Sequence, residues 1–195
     1  MSTYCALHVK TDDGHRFISE VEQYLAMNNR GRVVIRKTAN TLGEIYGSQF
    51  ICSVKQQPTT FGVTRNQHGW FTAHYNSFYP LPELAVDASR TLGTVVIAVT
   101  AQSVSSAYLL GVWRDGEHLR TLEFADGEWL RQEGAPLPFE REPLGTNLAE
   151  EDEEPYYNFG RRDVIDYCEN LGLRLWQPPA DEKETDPEEW TIIRV

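Results

Sequence analysis

The chain has 195 residues, 41% of them hydrophobic and 24% charged, a balance that lets a soluble chain bury a core of its own. Eighteen basic against 29 acidic side chains leave a net charge of −11, so free nucleic acid would be repelled rather than steered in. No apolar run approaches the roughly 18 residues of a membrane span, and no basic stretch followed by an apolar one marks a secretory leader, so a cytoplasmic protein is expected.

In chain order, residues 3–9 read as a short strand. Between Arg16 and Met27 the positions Phe17, Val21, Tyr24 and Leu25 fall on one helical stripe, which the polar run Asn28-Asn29-Arg30-Gly31 ends. Val33-Val34-Ile35 and the stretch Phe50 to Val54 are predicted strands. Phe61 to Thr64 and Trp70 to Tyr75 bracket a turn and read as a hairpin. Pro82 suits the first position of a helix that runs through Leu84, Ala85, Ala88 and Leu92 to a stop at Gly93.

Val95 to Val99 is a continuous apolar run, suited to a central strand buried on both faces. Ala107–Trp113, Leu119–Phe124 and Glu128–Arg131 follow, separated by Asp115-Gly116 and Asp126-Gly127. Asp-Gly supplies the positive φ angles of tight hairpin turns, so a meander is predicted over about 95–132. Residues 140–158 read as an acidic loop holding Glu150, Glu151, Asp152, Glu153 and Glu154. A helix is predicted over Arg161–Leu171, with Val164, Ile165, Cys168 and Leu171 inward and Gly172 at its stop. Pro178-Pro179 opens a second acidic loop over 178–189, and the tail from Trp190 to Val195 reads as a strand returning to the sheet. The fold class is therefore α+β: a mostly antiparallel sheet with three or so packing helices, in a single domain over 1–195 with a possible subdivision near 100.

The string "QSVSSAYLLGVWRDGEHLRTLEF" followed by "EGAPLPFE" resembles a group of uncharacterised bacterial accessory proteins. These share a serine-valine entry, a "VW.DG" turn and a closing "G.PLPFE" over residues 103–140; "GWFTAHYNS" upstream is similar too. The resemblance implies a bacterial accessory protein and carries over no catalytic residue.

Catalytic signatures are missing: no Gly-x-Ser-x-Gly elbow, no phosphate loop, no Gly-x-Gly-x-x-Gly and no His-Glu-x-x-His. His68 and His74 flank a predicted turn, but a zinc site there would need two more ligands, so no metal and no cofactor is expected. Cys5, Cys52 and Cys168 are odd in number and far apart, as free thiols in a reducing compartment would be. Asp181-Glu182-Lys183 with Asp163 or Asp166 matches a loose nuclease pattern, yet its lone Lys sits among acids after two prolines and reads as a solvated linker. If the chain is an enzyme, Tyr75, His74 and Glu123 are the proton carriers expected beside the Val95 strand.

The charge is lopsided. Residues 1–100 hold nine basic and seven acidic side chains, a balance of +2; residues 101–195 hold nine and 22, a balance of −13. Acid clusters on a surface speed association with a cationic partner and select it over others. The expectation is a non-enzymatic, immunity-type inhibitor that neutralises a basic, nuclease-like protein toxin, with no direct nucleic-acid or membrane binding. Its partner-binding residues are expected at Glu150, Glu151, Asp152, Glu153 and Glu154, then at Asp181, Glu182, Glu184, Asp186, Glu188 and Glu189. Trp176 is the neighbouring anchor, and Trp190 flanks the second run. An enzyme with an unrecognised site and an assembly adaptor are the alternatives; the adaptor would be marked by a large apolar patch.

Overall fold

The computed structural model describes residues 3–29, 34–39, 57–66, 69–102, 105–151, 153–175 and 190–195. The strands are β1 (Thr3–Lys10), β2 (Ile35–Ala39), β3 (Thr60–Arg65), β4 (Trp70–Tyr75), β5 (Val95–Gln102), β6 (Ala107–Arg114), β7 (Glu117–Ala125), β8 (Glu128–Gly134), β9 (Thr146–Asn147), β10 (Tyr157–Asn158) and β11 (Trp190–Arg194). The helices among the described residues are α1 (Gly14–Asn28), α2 (Pro82–Leu92) and α3 (Arg161–Asn170). Nine strands form one sheet in the order β2-β11-β3-β4-β1-β5-β6-β7-β8, and every ladder in it is antiparallel. The protein is α+β.

Local chemistry builds the right-hand half of this sheet. Asp115 and Gly116 lie at φ 54° and 85°, Asp126 and Gly127 at 53° and 83°, the positive pairs that close two-residue hairpins. These turns set β6, β7 and β8 side by side. Helix α2 starts with Pro82 in its first turn and stops at Gly93 in the left-handed conformation. Its Ser89 Oγ accepts the Gly116 N–H at 3.0 Å, which ties the first Asp-Gly turn to the end of the helix.

The two faces of the sheet bury separate cores. Helices α1 and α2 cover the first face, where Phe17, Val21 and Leu25 of α1 and Leu84, Ala85 and Ala88 of α2 pack on Leu7, Phe61, Tyr75, Val96 and Trp113. The second face packs Ile97, Val99, Leu110, Val112, Leu122 and Phe124 against Leu144, Phe159, Val164, Tyr167 and Cys168 of α3 and the segment before it. β5 contributes to both cores, as a continuous apolar strand must, and each fully buried large side chain stabilises the fold by about 1.5–3 kcal/mol. Trp70 Nε1 donates to the Gly172 carbonyl at 2.9 Å, fastening the end of α3 to β4 on the other half of the sheet. The β1–β5 ladder joins strands from the N-terminal hundred residues to the meander, so one continuous sheet crosses the expected subdivision near residue 100.

Several sequence expectations shift. The strand expected at Val33–Ile35 begins at Ile35 and runs to Ala39; the stretch 50–54 lies outside the described residues. The 140–158 segment is more than a loop: Tyr157 and Asn158 pair antiparallel with Asn147 and Thr146, making a short hairpin that hydrophobic patterning cannot reveal in two-residue strands. On α3 the buried set is Val164, Tyr167 and Cys168; Ile165 and Leu171 are only half-buried, and Tyr167 was missed. β8 forms one end of the sheet order, and the β7–β8 register shifts there, leaving Leu130 between the paired Trp129 and Arg131. Such an irregularity twists an edge strand away from further pairing.

Candidate functional site

Of the expected partner-binding residues, Glu150, Glu151, Glu153 and Glu154 fall on the loop of the β9–β10 hairpin. Asp152, Trp176, Asp181, Glu182, Glu184, Asp186, Glu188 and Glu189 lie outside the described residues. The ladder continues past the strands, with Leu148 N–H donating to the Tyr156 carbonyl at 3.0 Å. Asn147 Oδ1 accepts the Ala149 N–H at 3.0 Å, and Glu153 N–H donates to the Glu150 carbonyl at 3.1 Å, which folds the acidic run into a turn. All four described glutamates are exposed.

Two apolar side chains flank that turn in the open. Leu148 is 45% and Tyr156 55% exposed, and their backbones are bonded to each other across the hairpin. Sequence reasoning missed both. Trp190, in contrast, is only 3% exposed and packs against Ile192, so it is no surface anchor; its place on an interior strand decides this.

The hairpin base is held firmly. Phe159 is fully buried against Trp129 and Tyr167, with ring centroids 5.1 and 5.9 Å away. Asp163, in the first turn of α3, accepts the Gly160 N–H at 2.7 Å and the Thr146 hydroxyl at 3.3 Å, linking helix start to hairpin start.

Beside this base lies a cleft of about 660 Å³ between α3 and the segment 138–145. Phe139, Arg141, Leu144, Asp163, Asp166, Tyr167 and Glu169 are among its lining residues. Its inner wall is fixed by a buried ion pair. Arg120 donates Nε to Glu140 Oε1 at 2.9 Å and Nη2 to Oε2 at 2.7 Å, with side chains 4% and 1% exposed. Arg120 Nη1 also donates to the Gly134 carbonyl at 3.1 Å, and Leu137 N–H donates to Glu140 Oε1 at 3.0 Å. The "G.PLPFE" segment thus serves to pin the chain after β8 back onto β7.

Apart from Asp163 at its start, helix α3 carries its charges against its own dipole. Arg161 and Arg162 stand in the first turn, while Asp166 and Glu169 stand toward the C-terminal end, where no basic residue occupies the last turn. A helix dipole favours the opposite arrangement. Burial raises the Cys168 thiol above its usual range, with the Glu169 charge adding to the effect, so this buried cysteine is an inert core group.

A separate polar cluster occupies the second face of the sheet around the middle strand, β1. His8 is fully buried, with Nε2 bonded to the Tyr4 hydroxyl at 3.1 Å and Nδ1 to Thr72 Oγ1 at 2.9 Å; Asn66 Nδ2 donates to the same oxygen at 2.8 Å. The His74 ring meets Tyr4 edge-on at 5.2 Å and lies 5.5 Å from Trp190. Burial, with His74 adding to it, lowers the His8 pKa to about 3, and burial lowers His74 to about 4. The expected catalytic grouping does not assemble: alternation along β4 sends Tyr75 to the first face and His74 to the second. Glu123, four ladders away on β7, pairs with Arg131 at 2.6 Å. His68 lies outside the described residues, and no group of three or more metal-type ligands occurs among those described. Likewise, no described helix is long and apolar enough to cross a membrane.

No family model matches the chain, and no curated protein or solved structure matches it.

Proposed function

We propose that this chain is a non-enzymatic, immunity-type inhibitor of the bacterial cytoplasm that binds and neutralises a basic, nuclease-like protein toxin. One observation carries the proposal: four exposed glutamates gathered on a hairpin turn, with Leu148 and Tyr156 exposed beside them. An acidic rim steers a cationic partner and raises the on-rate, while an adjacent aromatic supplies buried contact once docked. The acids would pair with the phosphate-binding Lys and Arg of the toxin and occlude its site.

The test is recovery of a partner from the native host at low salt, followed by expression of that partner with and without this chain. A partner toxic alone and harmless in company is the expected result. Reversing Glu150, Glu151, Glu153 and Glu154 to Lys should slow association and flatten its salt dependence, and Tyr156→Ala should raise the dissociation rate. Unchanged inhibition and unchanged salt dependence after the fourfold reversal would refute the electrostatic mechanism.

A second reading, an enzyme, is favoured only by the Tyr4–His8–Thr72 chain with His74 beside it. It requires that the toxin-relief assay fail and that Tyr4→Phe abolish a turnover measured with the native chain.

A further inference from the structure

We propose that the Asp126-Gly127 turn is a modification site, where the folded chain slowly converts Asp126 to an isoaspartyl residue, while its other Asp-Gly pairs are held against the same reaction. The modified turn presents a free α-carboxylate, the group a carboxyl methyltransferase with a methylsulfonium donor esterifies. The inference is independent of the function proposed above.

The reaction needs only a side-chain carboxyl and the amide of the next residue. The Gly127 nitrogen attacks Asp126 Cγ: an N–Cγ bond forms, a Cγ–O bond breaks, and the hydroxyl leaves with the amide proton as water. Water then opens the resulting succinimide at either carbonyl. Opening at the main-chain carbonyl leaves the chain running through Cβ and Cγ, with the former backbone carbonyl now a carboxylate. A following glycine matters because, lacking a Cβ, it leaves the attacking nitrogen unshielded. The chain has three such pairs, Asp13-Gly14, Asp115-Gly116 and Asp126-Gly127, so local chemistry alone does not choose among them.

The fold chooses. Asp13 caps α1, its Oδ1 accepting the Arg16 N–H at 3.0 Å, and Gly14 is buried with the Phe71 ring filling the space of a Cβ. At the second pair, the Gly116 N–H donates to Oγ of fully buried Ser89 at 3.0 Å, and Asp115 N–H donates to the Thr94 carbonyl at 3.4 Å. The Arg90 side chain also lies against Gly116, its Nε 2.8 Å from where a Cβ would stand. Asp126 and Gly127 are both exposed, with nothing within 4 Å of the Cβ position on Gly127. Among the described residues, neither the Asp126 carboxylate nor the Gly127 amide has a hydrogen-bond or ion-pair partner.

The ring closes only after the Asp-Gly peptide rotates to bring its nitrogen onto Cγ, so the turn must open first. Opening at Gly116 breaks a bond to the end of α2, and one net hydrogen bond is about fivefold in an equilibrium. Opening at Gly127 breaks none, and β8 beyond it is an end strand of irregular register. The product adds a main-chain atom to a two-residue turn whose length sets the β7–β8 pairing. Conversion therefore loosens Trp129 from Phe124 and Phe159, 5.2 and 5.1 Å away, and Arg131 from Glu123.

The test holds the full chain in H₂¹⁸O at pH 7 and body temperature, with peptide mapping by mass spectrometry. Succinimide hydrolysis leaves one heavy oxygen on the reacting aspartate, whichever carbonyl opens. Label at Asp126 should exceed that at Asp13 and Asp115 by about tenfold or more in the folded chain, and the three should agree within about threefold in urea. Ser89→Ala should raise the Asp115 label about fivefold and leave Asp126 unchanged. An isoaspartyl-specific carboxyl methyltransferase should label the aged chain, and Asp126→Ser should remove that signal. Equal labelling of the three pairs in the folded chain, a lead by either of the other two, or an unlabelled Asp126 would overturn the assignment. An unchanged Asp115 rate in Ser89→Ala would overturn the protection assigned to the Ser89 bond.

Discussion

Replacing Glu140 by Leu strands the Arg120 guanidinium in the interior, and the consequence can be worked through from its bonds. Both side chains are almost wholly buried, the pair is joined by two charge-assisted bonds at 2.9 and 2.7 Å, and the lost carboxylate also accepts from Leu137 N–H. Arg120 would keep its bond to the Gly134 carbonyl, which solvates the charge only in part. Breaking a buried pair by removing one partner costs about 3–5 kcal/mol, since the remaining charge is uncompensated. For a domain of this size that corresponds to a fall in Tm of roughly 6–20 °C. The assay is equilibrium urea unfolding of Glu140→Leu, Arg120→Met and the double variant at pH 7. The double variant replaces both charges with apolar groups and should recover at least about 2 kcal/mol of the summed losses. The singles should also differ in pH response: a stranded carboxylate takes up a proton as the pH falls, whereas a guanidinium stays charged, so acid should narrow the Arg120→Met deficit alone. Losses below about 1 kcal/mol, or strictly additive ones, would refute the claim that this pair clamps the segment after β8.

Acid should weaken the protein through His8. Its pKa in the folded state, about 3, lies below the unfolded value near 6.5, so the unfolded chain holds the extra proton between those limits. Stability therefore rises with pH across that window and levels off above it, by up to about 1.4 kcal/mol per pH unit for this one group. His8→Gln should reduce the slope measured by urea unfolding at pH 7, 6 and 5, whatever it does to absolute stability; an unchanged slope would exclude the assignment. Gly134→Ala should destabilise strongly, by about 3 kcal/mol or more, because Gly134 sits at φ 83° and an added Cβ would collide with the Leu119 carbonyl. Thermal unfolding checks this, and a shift below about 2 °C would contradict it. Glu169→Lys should make the chain more stable by about 0.3–1 kcal/mol, since it places a cation at the C-terminal end of α3, where no basic residue stands. Urea unfolding at pH 7 checks this, and an unchanged or lower stability would contradict the helix-dipole argument.

Much of the scaffold was legible because its signals are local. Asp115-Gly116 and Asp126-Gly127 demand positive φ wherever they occur, Pro82 and Gly93 bracket a helix by their own backbone preferences, and Val95–Val99 has too little polarity for a one-sided strand. The acidic run at Glu150–Glu154 was equally plain as composition, but its setting was not. Two-residue strands carry no periodicity, so the hairpin under it and the exposure of Leu148 and Tyr156 escaped notice. The strand read over Trp190–Val195 is present as β11, whose Trp190 pairs with Ala39 of β2 and is buried.

Sequence by itself determined the kinds of element, the faces that must be buried and the concentration of negative charge in residues 101–195, because propensity, period and charge are properties of neighbours along the chain. Tertiary structure alone decided which faces meet. It brought Arg120 to Glu140, His8 to Thr72, and the open carboxylates of α3 to Phe139 and Tyr167 in one cleft. Those meetings join residues that share no local pattern, and they follow from how the two cores close over one sheet.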